Sequence, residues 1–317
     1  MSKINQTNWD IVIVGGGPAG FFAGIRCAEL NSNLNVLIIE KAQQTLGKVL
    51  ISGGGRCNVT HACFDPAQLI TYYPRGGAAL RGAFTRFQPA DTIQWFEKHG
   101  VKLKTESDGR MFPATNSSTT IAECLRESAK KAGVTAQTGT SLQKVESLSE
   151  NGFRLEVRNE ASVLHLQTKK LLLATGNDPT TREIVKSLGH SIEEPAPSLF
   201  TFNISDKRLE GLAGVSVEPV TVKMDSLTQR GPLLITHWGV SGPAVLRLSA
   251  WGARILFEKK YQATLVVNWL GDTPFDKALD VLQKHKAWPE NARKKVLSEP
   301  AFTQLPARLW KQLANFI

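Results

Sequence analysis

Residues 11 to 20, IVIVGGGPAG, restrict the fold of this chain more than any other stretch. Ile11 to Val14 form a continuous apolar run, the pattern of a strand buried on both faces of a parallel sheet. A glycine turn follows at once. From Pro18 to Leu30 the small and apolar residues keep helical spacing, with Pro18 in the first turn, where its missing N–H costs nothing. NVLIIE then supplies a second strand ending at Glu40. Together these make a βαβ unit and place the chain in the α/β class.

Gly15, Gly17 and Gly20 spell G-x-G-x-x-G, a pattern with little weight unless it follows a strand and opens a helix, as it does here. The first glycine permits the tight turn, the second lets a pyrophosphate approach the backbone, and the third lets helix and strand pack closely. Glu40 lies twenty residues beyond Gly20, where a carboxylate accepts hydrogen bonds from ribose hydroxyls and disfavours a 2′-phosphate. FAD or NAD suits such a site better than NADP. An unrelated glycine-rich turn would share the letters but not Glu40.

A second constellation is Ser52-Gly53-Gly54-Gly55-Arg56-Cys57-Asn58, in which three glycines free the backbone to wrap an anion or a flat ring and Arg56 adds a cation. Taken alone, it has a flexible surface loop as its alternative reading.

Further along, helices are expected at Pro89 to His99 and Ser117 to Ala132, with Gly100 and Gly133 as stop signals. Short strands are expected at Ser141 to Val145, Phe153 to Val157 and Val163 to Leu166, and Leu171 to Ala174 returns the chain to the parallel sheet. Pro195 and Pro197 mark a boundary. Beyond them come β-type segments, SLFTFNI, VSVEPVTVKM, GPLLITHW, ARILF and YQATLVVNWL, followed by helical pieces FDKALDVLQKH, ENARKKVLSE and LPARLWKQLANFI.

At 317 residues the chain has room for two domains. No apolar run approaches the roughly 20 residues of a membrane-spanning helix, and MSKINQTNWD lacks the apolar segment of a signal peptide, so a cytoplasmic protein without membrane contact is expected. Cys27, Cys57, Cys63 and Cys124 show no metal-binding or redox spacing, and no metal is expected. The net charge of +10 favours anionic partners. Its cations are spread out, with lysine pairs starting at Lys130, Lys169, Lys259 and Lys294, and this scatter argues against a nucleic-acid partner.

DIVIVGGGPAG, GKVLISGGGRCNVTH (47–61), GRMFPATNSSTTIAECL (109–125), LLLATGN (171–177) and THWGVSGPAVLRLSA (236–250) together resemble the HI0933-like family of FAD-dependent oxidoreductases, also called the BaiN or aminoacetone-oxidase-like family. The resemblance runs over nearly the whole chain. It implies an FAD-binding Rossmann-like fold of the two-dinucleotide-binding-domain type, with an inserted β-rich, barrel-like domain and a small helical subdomain. The corresponding ranges are 1–194, 195–274 and 275–317. It implies that Gly15, Gly17, Ala19 and Gly20 hold the pyrophosphate and Glu40 the adenosine ribose. Lys41 and the loop Gly53, Gly54, Gly55, Arg56, Cys57 and Asn58 would line the cofactor, Leu142 would meet adenine through its backbone, and Thr175 and Gly176 would approach the cofactor at a strand end.

Two departures stand out. NDPTTREIVKSLGH (177–190) replaces a glycine- and serine-rich stretch, and the family's C-terminal segment that closes the flavin site is absent, which is expected to weaken flavin binding and to leave apolar surface on the Leu305 to Ile317 helix.

The flavin carries the redox chemistry, so the protein positions substrate and tunes charge. No acid–base pair stands out and no catalytic residue is assigned. His61 and Cys57, which flank the glycine loop, are candidates for a place near the isoalloxazine and His237 for the substrate pocket of the β-rich domain, each also explicable as structural. The expected activity is hydride transfer between bound flavin and a small organic substrate between the two domains, with NAD(P)H as a transient reductant because no second G-x-G-x-x-G exists. The rival is a non-catalytic nucleotide-binding or RNA-associated flavoprotein. The sequence sets neither the substrate nor the oligomeric state.

Overall fold

The structure, a computed structural model, describes residues 7–149, 152–289, 291 and 299–316. The chain forms two compact units, residues 1–193 and 194–317.

The first unit runs β1 (Asn8–Val14), α1 (Pro18–Leu30), β2 (Val36–Ile39), α2 (Gly47–Ile51), β3 (Thr60–His61), α3 (Pro66–Leu69), α4 (Gly77–Phe84), α5 (Pro89–Lys98), β4 (Leu103–Thr105), β5 (Arg110–Pro113), α6 (Ser118–Lys131), β6 (Thr135–Gln137), β7 (Ser141–Leu148), β8 (Gly152–Arg158), β9 (Val163–Leu173) and α7 (Pro179–Ser187). Its main sheet has the order β6-β2-β1-β9-β8-β7, parallel from β6 to β9 and antiparallel beyond. The strand period of two explains the unbroken apolar runs. Ile13, Val36 and Ile38 enter a core with Phe21 and Ile25 of α1 and Ile121 and Leu125 of α6. Val12, Val14, Leu37 and Ile39 enter the opposite core with Leu142, Leu155 and Leu166. Both faces are covered, so both residue sets must be apolar.

The expected strands at 163–166 and 171–174 are one strand. β9 pairs antiparallel with β8 through Val163–Thr168 and parallel with β1 through Leu173. The polar letters between them do not break it, because Lys169 reaches solvent and pairs with Asp10 at 2.7 Å, while the buried Thr168 hydroxyl donates to the Lys170 carbonyl oxygen at 2.8 Å.

The second unit holds β10 (Phe202–Asn203), β11 (Ser216–Met224), β12 (Leu227–Ile235), β13 (Gly239–Ser241), α8 (Pro243–Trp251), α9 (Ala253–Glu258), β14 (Val266–Asn268), α10 (Phe275–Ala287) and α11 (Ala307–Ala314). Its antiparallel sheet has the order β10-β13-β12-β11-β14. ARILF, expected as β-type, is helical. Ala253 and Leu256 are buried three positions apart while Phe257 is exposed, a helical spacing that a five-residue apolar run does not distinguish from a strand. Leu305, Leu309 and Trp310 are buried in this unit's core, so the apolar surface expected on the last helix is largely covered. ENARKKVLSE lies almost wholly outside the described residues.

Candidate functional site

The glycine turn lies where the C-terminal ends of β1, β2 and β9 meet. Gly15 N–H donates to Ile39 O and Ala174 N–H to Val14 O, both at 2.8 Å, which sets the turn between the end of β2 and the Ala174–Gly176 stretch. Gly15 has φ +111°, and a Cβ there would stand 2.5 Å from the Ala174 carbonyl oxygen. A Cβ on Gly20 would collide with the Gly15 carbonyl oxygen. These two glycines are therefore required by the polypeptide itself. Gly17 differs: a Cβ on it would meet nothing within 4 Å. It is the N-cap of α1, no side chain caps that helix, and no acid stands in its first turn. An uncapped helix start beside open space fits a pyrophosphate, since its amides and partial positive charge favour an anion.

Glu40 leaves the end of β2 and folds back over the turn. Its Oε2 accepts from Gly16 N–H and its Oε1 from Ala42 N–H, each at 2.8 Å. Each oxygen keeps a lone pair, so the carboxylate both shapes the turn and remains able to accept ribose hydroxyls. Gly139 N–H donates to Ala42 O and Thr140 N–H to Glu40 O, which draws the start of β7 to the same corner. Leu142 follows there with its side chain buried in the core, leaving only its backbone to meet a ligand. The structure thus brings together Gly15, Gly17, Ala19, Gly20, Glu40, Leu142, Thr175 and Gly176.

Lys41 is drawn away to Asp178 at 2.5 Å. Burial pushes the Asp178 carboxyl up, but the hydrogen bond from Lys41 and the Thr181 donors outweigh it and hold the group below its ordinary value. The Asp178 hydrogen bond in turn raises Lys41. Asp178 also caps α7 through Thr181 N–H, so NDPTTREIVKSLGH forms a helix tied to Lys41.

The second glycine motif joins the turn through α2, whose N-cap, Leu46, donates its N–H to Gly16 O at 2.8 Å. Gly53, Gly54 and Gly55 all have positive φ and form a tight turn. Arg56 stacks 4.0 Å over the Phe112 ring and pairs with Glu106 at 2.6 Å, so its charge is compensated and it anchors the motif. Cys57 is 6% exposed and burial pushes its thiol up, the opposite of a reactive thiolate. The Asn58 amide, in its satisfied orientation, donates to Thr60 O at 2.9 Å. His61 Nε2 lies 3.1 Å from Asp108 O. In the second unit, His237 and Trp238 are exposed at the β12–β13 turn, Trp238 at 74%.

Two contributors were missed in the sequence. Lys48 Nζ stands 3.2 Å from where a Gly176 Cβ would be, and Arg126 of α6 clamps Thr45 through its hydroxyl (3.1 Å) and carbonyl (2.8 Å). Lys48 follows Gly47 inside the quoted motif; nothing local marks Arg126.

The model of the HI0933-like protein Rossmann domain matches residues 9–245, and that of the HI0933-like protein barrel and H2TH domain matches residues 196–316. The chain belongs to the HI0933-like family. It is an FAD-binding oxidoreductase with a Rossmann-like unit followed by a curled β-sheet and helices. It is 28% identical over 316 residues to the ribosomal RNA dihydrouridine synthase of Escherichia coli (strain K12), covering 96% of this chain and 73% of that protein. With the Haemophilus influenzae (strain ATCC 51907 / DSM 11121 / KW20 / Rd) ribosomal RNA dihydrouridine synthase the identity is 27%, covering 75% and 60%. With the 3-dehydro-bile acid delta(4,6)-reductase of Clostridium scindens (strain ATCC 35704 / DSM 5676 / VPI 13733 / 19) it is 25%, covering 79% and 62%. The chain thus spans about three-fifths of the latter two.

The expectation that nucleic acid is not a partner is overturned by these two RNA-named relatives. That expectation rested on scattered cations. It overlooked YYPRGGAALRGAFTRF (72–87), where three arginines and four aromatics lie together without an acid. Among the described residues no helix is long and apolar enough to cross a membrane.

Proposed function

We propose that this chain is the FAD-binding part of an oxidoreductase that adds a hydride and a proton across a carbon–carbon double bond of a uridine base in RNA, giving dihydrouridine. The observation that carries this reading is the 28% identity, sustained over 96% of the chain, to a ribosomal RNA dihydrouridine synthase. FAD, when bound, supplies the two-electron hydride chemistry, and NAD(P)H is the transient source of the electrons. The chain's own residues bind and orient. The α1 N-terminus, with Gly15, Gly17, Ala19 and Gly20, holds the pyrophosphate and Glu40 the ribose. The Leu142 backbone meets adenine, Thr175 and Gly176 approach the cofactor, and the Gly53 to Asn58 turn lines it, while Lys41 is held away by Asp178. The four free cysteines suit a reducing cytoplasm.

The test uses FAD-loaded protein, NADPH or NADH, and ribosomal RNA lacking dihydrouridine. Bleaching of the flavin and a gain of two hydrogens at a uridine by mass spectrometry are expected. A second reading, reduction of a conjugated small-molecule ketone, is favoured by the Clostridium relative. Reduction of such a ketone with unmodified RNA would replace the first reading by the second.

A further inference from the structure

Residues 66–90 contain no Asp or Glu but hold Arg75, Arg81 and Arg86 with Tyr72, Tyr73, Phe84 and Phe87. The two flanking acids serve as helix caps: Asp65 accepts from Ala67 N–H at 2.9 Å and Asp91 from Gln88 N–H at 2.8 Å. Among the described residues neither Arg81 nor Arg86 has an acidic partner. α4, which carries Arg81, buries none of its residues although GAALRGAF is rich in apolar ones. A surface helix ordinarily buries one stripe.

The aromatics are held but open. Tyr73 packs on Phe84 with ring centroids 5.5 Å apart, and Tyr72 on His61 at 5.6 Å, yet Tyr72 is 59% and Tyr73 40% exposed. Phe87, 42% exposed, meets Phe22 edge-on at 5.3 Å. Phe22 lies on α1 about one turn beyond Gly17, so this surface is fixed to the helix that starts at the cofactor corner.

We propose that residues 72–87 form a docking surface for single-stranded RNA, in which Tyr72, Tyr73 and Phe87 stack on bases while Arg81 and Arg86 contact phosphates. The inference rests on the reading of the chain as an RNA-modifying flavoenzyme and adds where the RNA is held. Charge complementarity selects the occupant: cations without acids suit a polyanion, and exposed rings packed on neighbouring rings suit unpaired bases more than duplex.

The experiment measures binding of fluorescein-labelled oligouridine to the FAD-loaded full chain by anisotropy across a salt series. Arg81→Gln with Arg86→Gln is expected to lower the slope of log affinity against log salt by about 0.7 for each arginine removed, and Arg81→Lys with Arg86→Lys to restore it. Tyr72→Leu is expected to weaken binding roughly five- to hundredfold with the slope unchanged. FAD content reports that each variant is folded. Wild-type slope and affinity in all variants would overturn the surface, and dihydrouridine formation by the same samples would show that the RNA reading survives it. A wild type that neither binds oligouridine nor modifies ribosomal RNA overturns both. If the glutamine variants change only the mass seen by light scattering, a second copy of this chain covers the face and the proposal fails.

Discussion

Gly17 and Gly20 are three positions apart in one motif, yet the structure gives them opposite sensitivities. A side chain at Gly17 enters open space, whereas one at Gly20 meets the backbone of Gly15. Gly17→Val should therefore keep the melting temperature of the wild-type apoprotein and lose FAD, because the new methyls occupy the space a pyrophosphate needs. Gly20→Ala should destabilise the apoprotein by about 1–3 kcal/mol or more, as overpacking against a fixed backbone does. Flavin absorbance per chain and a thermal melt separate the two; a Gly17→Val protein that purifies yellow would displace the pyrophosphate from this turn. Glu40 combines both kinds of role. In Glu40→Gln an NH2 group replaces an oxygen that faces a backbone N–H, so one turn contact is lost with the ribose acceptor. Loss of a charge-assisted bond worth about 1.5–3 kcal/mol predicts FAD affinity down roughly ten- to hundredfold and a lower apo melting temperature. Unchanged FAD affinity with a lowered melt would leave Glu40 a purely structural residue.

At the scale of elements, α7 is joined to the end of β2 by the Lys41–Asp178 pair. Asp178 is held below its ordinary carboxylate value, so its contribution is fully present above that ordinary value of 3.8 and is lost as pH falls through the depressed one. Asp178→Asn retains a helix cap but not the ion pair. With Lys41 well exposed, the variant should lose at most about 1 kcal/mol at neutral pH. Its melting curve should converge on the wild type in acid; a gap that persists there would assign the loss to the cap. Much of this layer was legible in sequence: α1, α5 and α6 follow their caps, prolines and glycine stops closely. α9 was not, because five apolar residues carry too little period to choose between helix and strand.

For the whole molecule, the stretch between α7 and β10 contains no helix or strand, and Glu193 and Glu194 within it are exposed. Limited digestion with a glutamate-specific protease should cut there before it cuts inside the sheets, and give two fragments matching the two units. Mass spectrometry of the first products checks this; early cleavage at Glu146 or Glu156 instead would contradict the division. The net charge of +10 acts at this scale as well, raising encounter with a polyanion without choosing its docking place.

The sequence by itself determined the βαβ unit and the glycine turn beside Glu40, because strand period, glycine spacing and a carboxylate at a strand end are local properties of the chain, and its quoted motifs determined the family. Only the tertiary structure decided what the charges and side chains near that corner do. Arg56 reads as a cation for a ligand and the family resemblance implies that Lys41 lines the cofactor, but Glu106 and Asp178, fifty and 137 positions away, already hold them. Nothing local in the sequence marks Arg126, which clamps Thr45 across 81 positions. Cys57 reads as a candidate for a place near the isoalloxazine and is buried. Hydrogen bonds and burial between distant residues depend on how the elements pack, and no spacing along the chain encodes that.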